Sequence, residues 1–386
     1  MIMSRGLIRF MGILFLLGIM SCAPKSFEDS GRIKKGPVET SLYGDYYNRY
    51  DFYRDYYEMR PIVVIPININ VWQKDDGTGN WQDTEAHRER LNTVIDFLNA
   101  HYRDVGTPSD PVEGVDSIRD TKIRFQLEGV YFYRNSQLWA SAFGKTADRL
   151  DSAMCAIDSN RIKQLNIHIT GYENPSSTVE GYAQFPSYEL SRKHSVITFH
   201  NEAEPYNKHA DFAFSKHLAH ELGHVLDLRH TYGAANCHQE DPDYLDDVFG
   251  SGENAHCPHR APRGSLWGCD PYSPDNECTN NLMGGTRDMR YLSPKQIFRM
   301  HRALSLKSIR NYVAYTLEET TKPWVISGVE KWDFDIRMYN DILIKKGGRL
   351  IVEGQVYLGD QNKIIVRKGG NLEKVGKGAV HHIKDN

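Results

Sequence analysis

The sequence predicts an α+β chain that ends in a small all-β repeat module, and three patterns carry that reading. Strand-like and helix-like stretches alternate between residues 61 and 169, a histidine-bearing helix follows at 220–224, and a Gly-Gly motif recurs near the end. At 386 residues the chain has room for two or three domains. A formal net charge of −3 speaks against a nucleic-acid partner.

Arg5 and Arg9 precede an apolar run at 10–20 that ends in Ser21-Cys22, the order of a signal peptide. The run is too short to cross a bilayer comfortably. Ile19-Met20-Ser21-Cys22 resembles a lipobox, so residues 1–21 are expected to be removed and Cys22 to become a lipid anchor. That makes the membrane a partner and places the chain in a bacterial envelope, as an outer-membrane lipoprotein facing the periplasm or the outside. The alternative is a plain secreted protein. Residues 22–58 include a Tyr-rich stretch at 43–57. It reads as a linker or a flap packed on the next domain, with an inhibitory propeptide as the alternative.

Residues 59–315 form the expected central domain. Pro61–Val71 has strand character, 90–99 reads as helix, and Lys122–Leu127 alternates like a strand with one buried face. A helix near 147–158 and a strand at 165–169 follow. His220-Glu221-Leu222-Gly223-His224 then places two imidazoles at i and i+4 on one helix face, where both can share a metal. Glu221 points beside that metal and can take a proton from its bound water. His230 reaches the same ion only if the helix stops and the chain turns back. Asp227 stands at the turn, where a left-handed conformation suits Gly best and Asp at modest cost.

The string HELGHVLDLRHTY resembles the zinc signature of the metzincin metalloproteases, most closely the pappalysin (cytophagalysin) branch. Asn280–Gly285 fits the methionine turn of that family through Met283, and Tyr291–Met300 is similar to the helix start that follows it. The resemblance spans roughly 60–305 and implies a metzincin-like catalytic domain with a mixed twisted sheet and an active-site helix. It implies one catalytic Zn2+ on His220, His224 and His230, Glu221 as the catalytic acid–base, and a protein or peptide substrate. Gly181, Ala183 and Pro186 match a segment that in the family forms a substrate-pairing sheet edge. An ordinary surface loop is the other reading of that segment. Two positions depart from the family: Gly285 stands where a tyrosine is usual, and Asp288 where a cysteine is. The expected activity is therefore a zinc metalloendopeptidase, and the alternative is an envelope binding or scaffold protein that retains the fold without turnover.

Cys237, Cys257, Cys269 and Cys278 crowd between His230 and Met283 and are expected to form disulfides in an oxidising compartment, with three pairings open. A second zinc site with His256 and His259 is the sharper alternative, although the spacing fits no standard pattern. Cys155 is left over as a buried thiol. The acidic run 240–247 offers oxygens of the kind Ca2+ takes but lacks a calcium-loop spacing, so a solvated loop competes with that reading. In the C-terminal module, 325–386, the segment 340–350 realigns with 362–372. β-branched runs closed by Gly-Gly suggest solenoid rungs or a meander, with little more than two repeats.

Overall fold

The computed structural model describes residues 50–383 except 110, 112–113, 141–145, 172–180, 190–193, 200–207, 232–244, 246, 248–279, 285–288, 314 and 317–321. Cys22 and the leader, Cys237, Cys257, Cys269, Cys278, Gly285, Asp288 and most of the acidic run lie outside the described residues. No helix among the described residues is long and apolar enough to cross a membrane.

The second half of the Tyr-rich stretch is a helix, α1 (Tyr50–Met59), followed by the central strand β1 (Val63–Gln73). Nearly all of β1 is buried because it has a strand on either side: β2 (Ile123–Arg134) and β3 (Leu165–Thr170), both parallel to it. The first half of β1 is apolar, as such strands are, while Asn68 and Asn70 are buried farther on and hydrogen-bonded, Asn70 Nδ2 donating to Asn166 Oδ1 at 3.0 Å. Between β1 and β2 lies α2 (Glu85–Arg103), capped by the Thr84 hydroxyl accepting from the His87 N–H at 3.3 Å. Its Leu91, Val94, Ile95, Leu98 and Tyr102 recur at helical spacing and are all buried in the core. A short α3 (Ser136–Trp139) and α4 (Thr146–Ile157) follow β2. Cys155 on α4 is buried.

The sheet runs β2-β1-β3-β5-β4, with β5 at Ser195–Phe199 and β4 at Gly181–Ala183. β4 is antiparallel to β5, whereas β2, β1, β3 and β5 run parallel, so the sheet is mixed. The long helix α5 (Lys208–Val225) packs against α2 through three polar pins. Arg90 pairs with Asp211 at 2.6 Å, the Tyr102 hydroxyl donates to the Ala219 carbonyl at 3.0 Å, and His101 Nε2 meets Ser215 Oγ at 3.0 Å. Ser215 gives its own hydrogen to the Phe212 carbonyl, so His101 is the donor. Helix α6 (Pro294–Leu306) completes the domain. The short β6 (Tyr315–Thr316) pairs back onto the start of β1.

Burial, with Lys216 and Arg290 as smaller cationic contributions, lowers His101 to about 4. The folded state therefore binds fewer protons than the unfolded chain between that value and the ordinary pKa near 6.5, and stability must fall as the pH drops through this window. The single group is worth about 2 kcal/mol of stability lost between pH 7 and 5, from 1.36 kcal/mol per pKa unit. Urea unfolding of His101→Gln should show a pH 7-to-5 loss smaller than wild type by about that amount. Equal losses in the two proteins would contradict the assignment.

The tail is a parallel β-solenoid. Its first rung is β7 (Trp324–Ile326), β8 (Val329–Trp332) and β9 (Ile336–Met338). The second is β10 (Ile342–Ile344), β11 (Arg349–Val352) and β12 (Gln355–Gly359), and the third is β13 (Ile364–Val366), β14 (Asn371–Lys374) and β15 (Ala379–Ile383). Corresponding strands stack in three parallel sheets, so the module holds three rungs rather than the two visible in the repeat. Ile342, Ile344, Leu350, Val352, Val356 and Leu358 of the middle rung are fully buried. The first rung docks on α1. Tyr56 donates its hydroxyl to the Arg337 carbonyl at 2.8 Å and accepts from the Tyr339 N–H at 3.0 Å. Asn340 donates to the Met59 carbonyl at 3.0 Å. The described half of the Tyr-rich stretch is a packed helix, with Tyr56 and Tyr57 buried.

Candidate metal centre

Helix α5 presents His220 and His224 one turn apart, and the turn after it brings His230 back to them. Asp227 adopts φ 77°, the left-handed conformation the turn requires. Its N–H bonds the His224 carbonyl at 3.0 Å, and the Leu228 N–H bonds the Gly223 carbonyl at 2.9 Å. These two bonds form a Schellman motif with Asp227 in the place usually held by glycine. The helix ends there, and three residues later His230 Nε2 lies 3.0 Å from both His220 Nε2 and His224 Nε2.

The other ring nitrogens explain why these atoms face one another. His220 Nδ1 donates to the Leu282 carbonyl at 2.8 Å, and His224 Nδ1 to the Leu228 carbonyl at 2.7 Å. A carbonyl only accepts, so each Nδ1 carries the hydrogen and each Nε2 presents a lone pair. Burial lowers His220 to about 4 and holds His224 well below the usual histidine range, so both rings are neutral at neutral pH. Converging lone pairs repel one another until a cation sits between them. Zinc bound tetrahedrally at 2.0–2.1 Å from each nitrogen would set them about 3.3 Å apart, close to the spacing found. Among the described residues, these three form the cluster of potential ligand atoms, all within 4.8 Å of one another. The donor set fits zinc.

Glu221 stands next to the trio and outside it. Burial pushes its carboxyl up to about 8. A divalent cation beside it would act in the opposite sense, favouring the carboxylate. Gly181 of β4 lies against this group, so closely that a Cβ there would come within 2.6 Å of Glu221 Oε1. Glycine at 181 thus lets the edge strand lie against the carboxylate without displacing it. Ala183 and Pro186 are buried on the same segment, and the exposed Phe185 ring lies 5.1 Å from the His224 ring.

Met283 is fully buried beneath the helix. A Cβ on Gly223 would meet its Sδ at 2.6 Å, so glycine in the helix lets the methionine turn approach. The turn is fixed by side chains far along the chain. Asn281 accepts from the Met283 N–H at 2.9 Å and donates to Gln296 Oε1 at 2.8 Å. Gln296 closes a capping box with Ser293 at the start of α6. Asp247, from the acidic run, accepts from Ser293 Oγ at 2.8 Å and from the Lys295 N–H at 2.7 Å. Both of its oxygens serve this helix start.

Residues 148–305 match the M43 peptidase family model, described as pregnancy-associated plasma protein-A. This part of the chain is pappalysin-like. Solved structures similar to the chain include mature mirolysin of Tannerella forsythia in complex with a cleaved peptide, at 17% identity and a TM-score of 0.43, covering 66% of this chain and 97% of that one. Mirolysin in complex with a compound is similar at 17% identity and a TM-score of 0.42, with the same coverage. No curated protein matches the sequence. The pappalysin-like segment contains the three histidines, Glu221, Gly181, Ala183, Pro186 and Met283. The carbonyls of Leu282 and Leu228 lie within the methionine-turn and histidine motifs but act through the main chain, so no side-chain identity marks their role, and no motif marks the role of Asp247 at the start of α6.

Proposed function

We propose that the chain is a zinc-dependent endopeptidase of the bacterial envelope, held to a membrane through Cys22. The observation that carries this reading is the convergence of three Nε2 atoms, those of His220 and His224 on neutral rings, beside a buried carboxylate and under a sheet edge. Zinc, when bound, lowers the pKa of coordinated water to about 7 and polarises the scissile carbonyl. His220, His224 and His230 would hold it. Glu221 accepts a proton from the attacking water at its carboxylate and returns one to the leaving amine. The outer edge of β4 offers backbone groups to an extended peptide, which Gly181 brings close to Glu221.

Purified protein is expected to contain zinc in equimolar amount and to cleave an unstructured protein such as casein. A chelator should remove metal and activity together, and added zinc should restore both. Equimolar zinc with no cleavage of casein or of a mixed peptide pool would overturn the enzymatic reading in favour of a metal-retaining envelope scaffold.

A further inference from the structure

We infer that Lys307 is a positioning residue for the third histidine, acting through Asp227 from 80 residues away. The inference rests on the zinc reading of the histidine trio. Lys307 Nζ lies 2.7 Å from Asp227 Oδ2, and the two side chains are only 6% and 7% exposed. Asp227 is the residue with φ 77° on which the return of His230 depends. Glycine would adopt that conformation without steric penalty, whereas Asp carries a modest one. The ammonium supplies what Asp lacks in conformational freedom, because it fixes the carboxylate and with it the backbone of the turn. In return Asp227 is the carboxylate that faces a lysine flanked by the cations Arg302 and Arg299.

The same joint reaches the segment that leaves β4. Lys307 caps the end of α6, and its neighbour Ser308 donates its N–H to the Ser187 carbonyl at 2.7 Å while its hydroxyl accepts from the Ser187 N–H at 3.0 Å. Ser187 directly follows Pro186 on the segment leaving β4. One dipeptide thus ties the histidine turn to the sheet edge above Glu221. A residue that acts through a ligand-bearing turn should change metal affinity on the scale of an outer-shell partner, about 10–100-fold.

The test is zinc affinity by competition with a chromogenic chelator, together with the visible spectrum of the Co2+-loaded protein. Lys307→Met is expected to bind zinc about 10–100-fold more weakly and to show altered Co2+ bands, reporting a displaced His230. Asp227→Gly/Lys307→Met is expected to bind like wild type, since glycine holds the turn unaided. Asp227→Ala/Lys307→Met, which likewise buries no lone charge and so stays folded, is expected to bind as weakly as Lys307→Met. Wild-type affinity in Lys307→Met, or equal affinity in the two double variants, would overturn the inference while leaving zinc binding intact. A wild-type protein that binds no zinc would instead remove the metal reading on which it rests.

Discussion

Glu221→Gln is expected to retain zinc at wild-type stoichiometry and to lose about 10²–10⁴-fold in turnover, the scale of an absent general acid–base. The two halves of that expectation have separate causes. Metal retention follows because the carboxylate lies outside the three-histidine cluster, and the carbonyls of Leu282 and Leu228 that aim His220 and His224 are left in place by the substitution. Loss of turnover follows because an amide of the same shape cannot accept the proton of the attacking water. Shape matters here, since a Cβ at Gly181 would already crowd Oε1 at 2.6 Å and a bulkier residue at 221 would displace β4. In barrier terms the loss is about 3–5 kcal/mol. Peptide turnover equal to wild type, at equal zinc content, would exclude Glu221 from the chemistry.

Asp211→Ala is expected to destabilise the protein by about 3–5 kcal/mol, as when one partner of a buried ion pair is removed. Asp211 is fully buried in the first turn of α5, and Arg90 holds it with two nitrogens, at 2.6 Å from Nη2 and 3.2 Å from Nε. Removing the carboxylate strands a guanidinium that cannot shed its charge, stacked 4.5 Å over the Trp81 ring. Asp211 also sits where a helix favours negative charge. The double variant Arg90→Met/Asp211→Leu removes both charges and should recover most of the loss. Urea unfolding of the chelated proteins measures this without a contribution from bound metal. A single variant within 1 kcal/mol of wild type, or about that, would show that the pair is solvated rather than buried.

What the sequence made legible was mostly periodic or local. The i, i+4 histidines, the return to His230 and the alternating burial at the start of β2 follow from spacing, and the structure brings the three imidazoles together. Asp227 shows how far such reasoning goes: a left-handed residue was required there, and φ is 77°. Nothing in the sequence marks Lys307 as its partner, because an ion pair between residues 80 positions apart leaves no local pattern. The first solenoid rung escaped for a related reason. Ile342 stacks on Trp324 but under Ile364, so the first step along the chain is shorter than the second and the repeat loses register. Trp324 also stands where the later rungs have Ile342 and Ile364.

The pairing of β6 with β1 has a consequence for how the chain acquires its structure. Val63 lies opposite Thr316, so the first strand of the sheet is completed by nearly the last residues of the domain. Its other partners come from 123–134 and 165–170. Closing loops of this length costs entropy before any contact rewards it, and topologies dominated by distant pairings fold slowly. During synthesis, β1 emerges long before the strand that pairs with its first two residues. The Val63–Val64 end of β1 therefore waits for residues 315–316, by which point every segment that carries the histidine trio has been made.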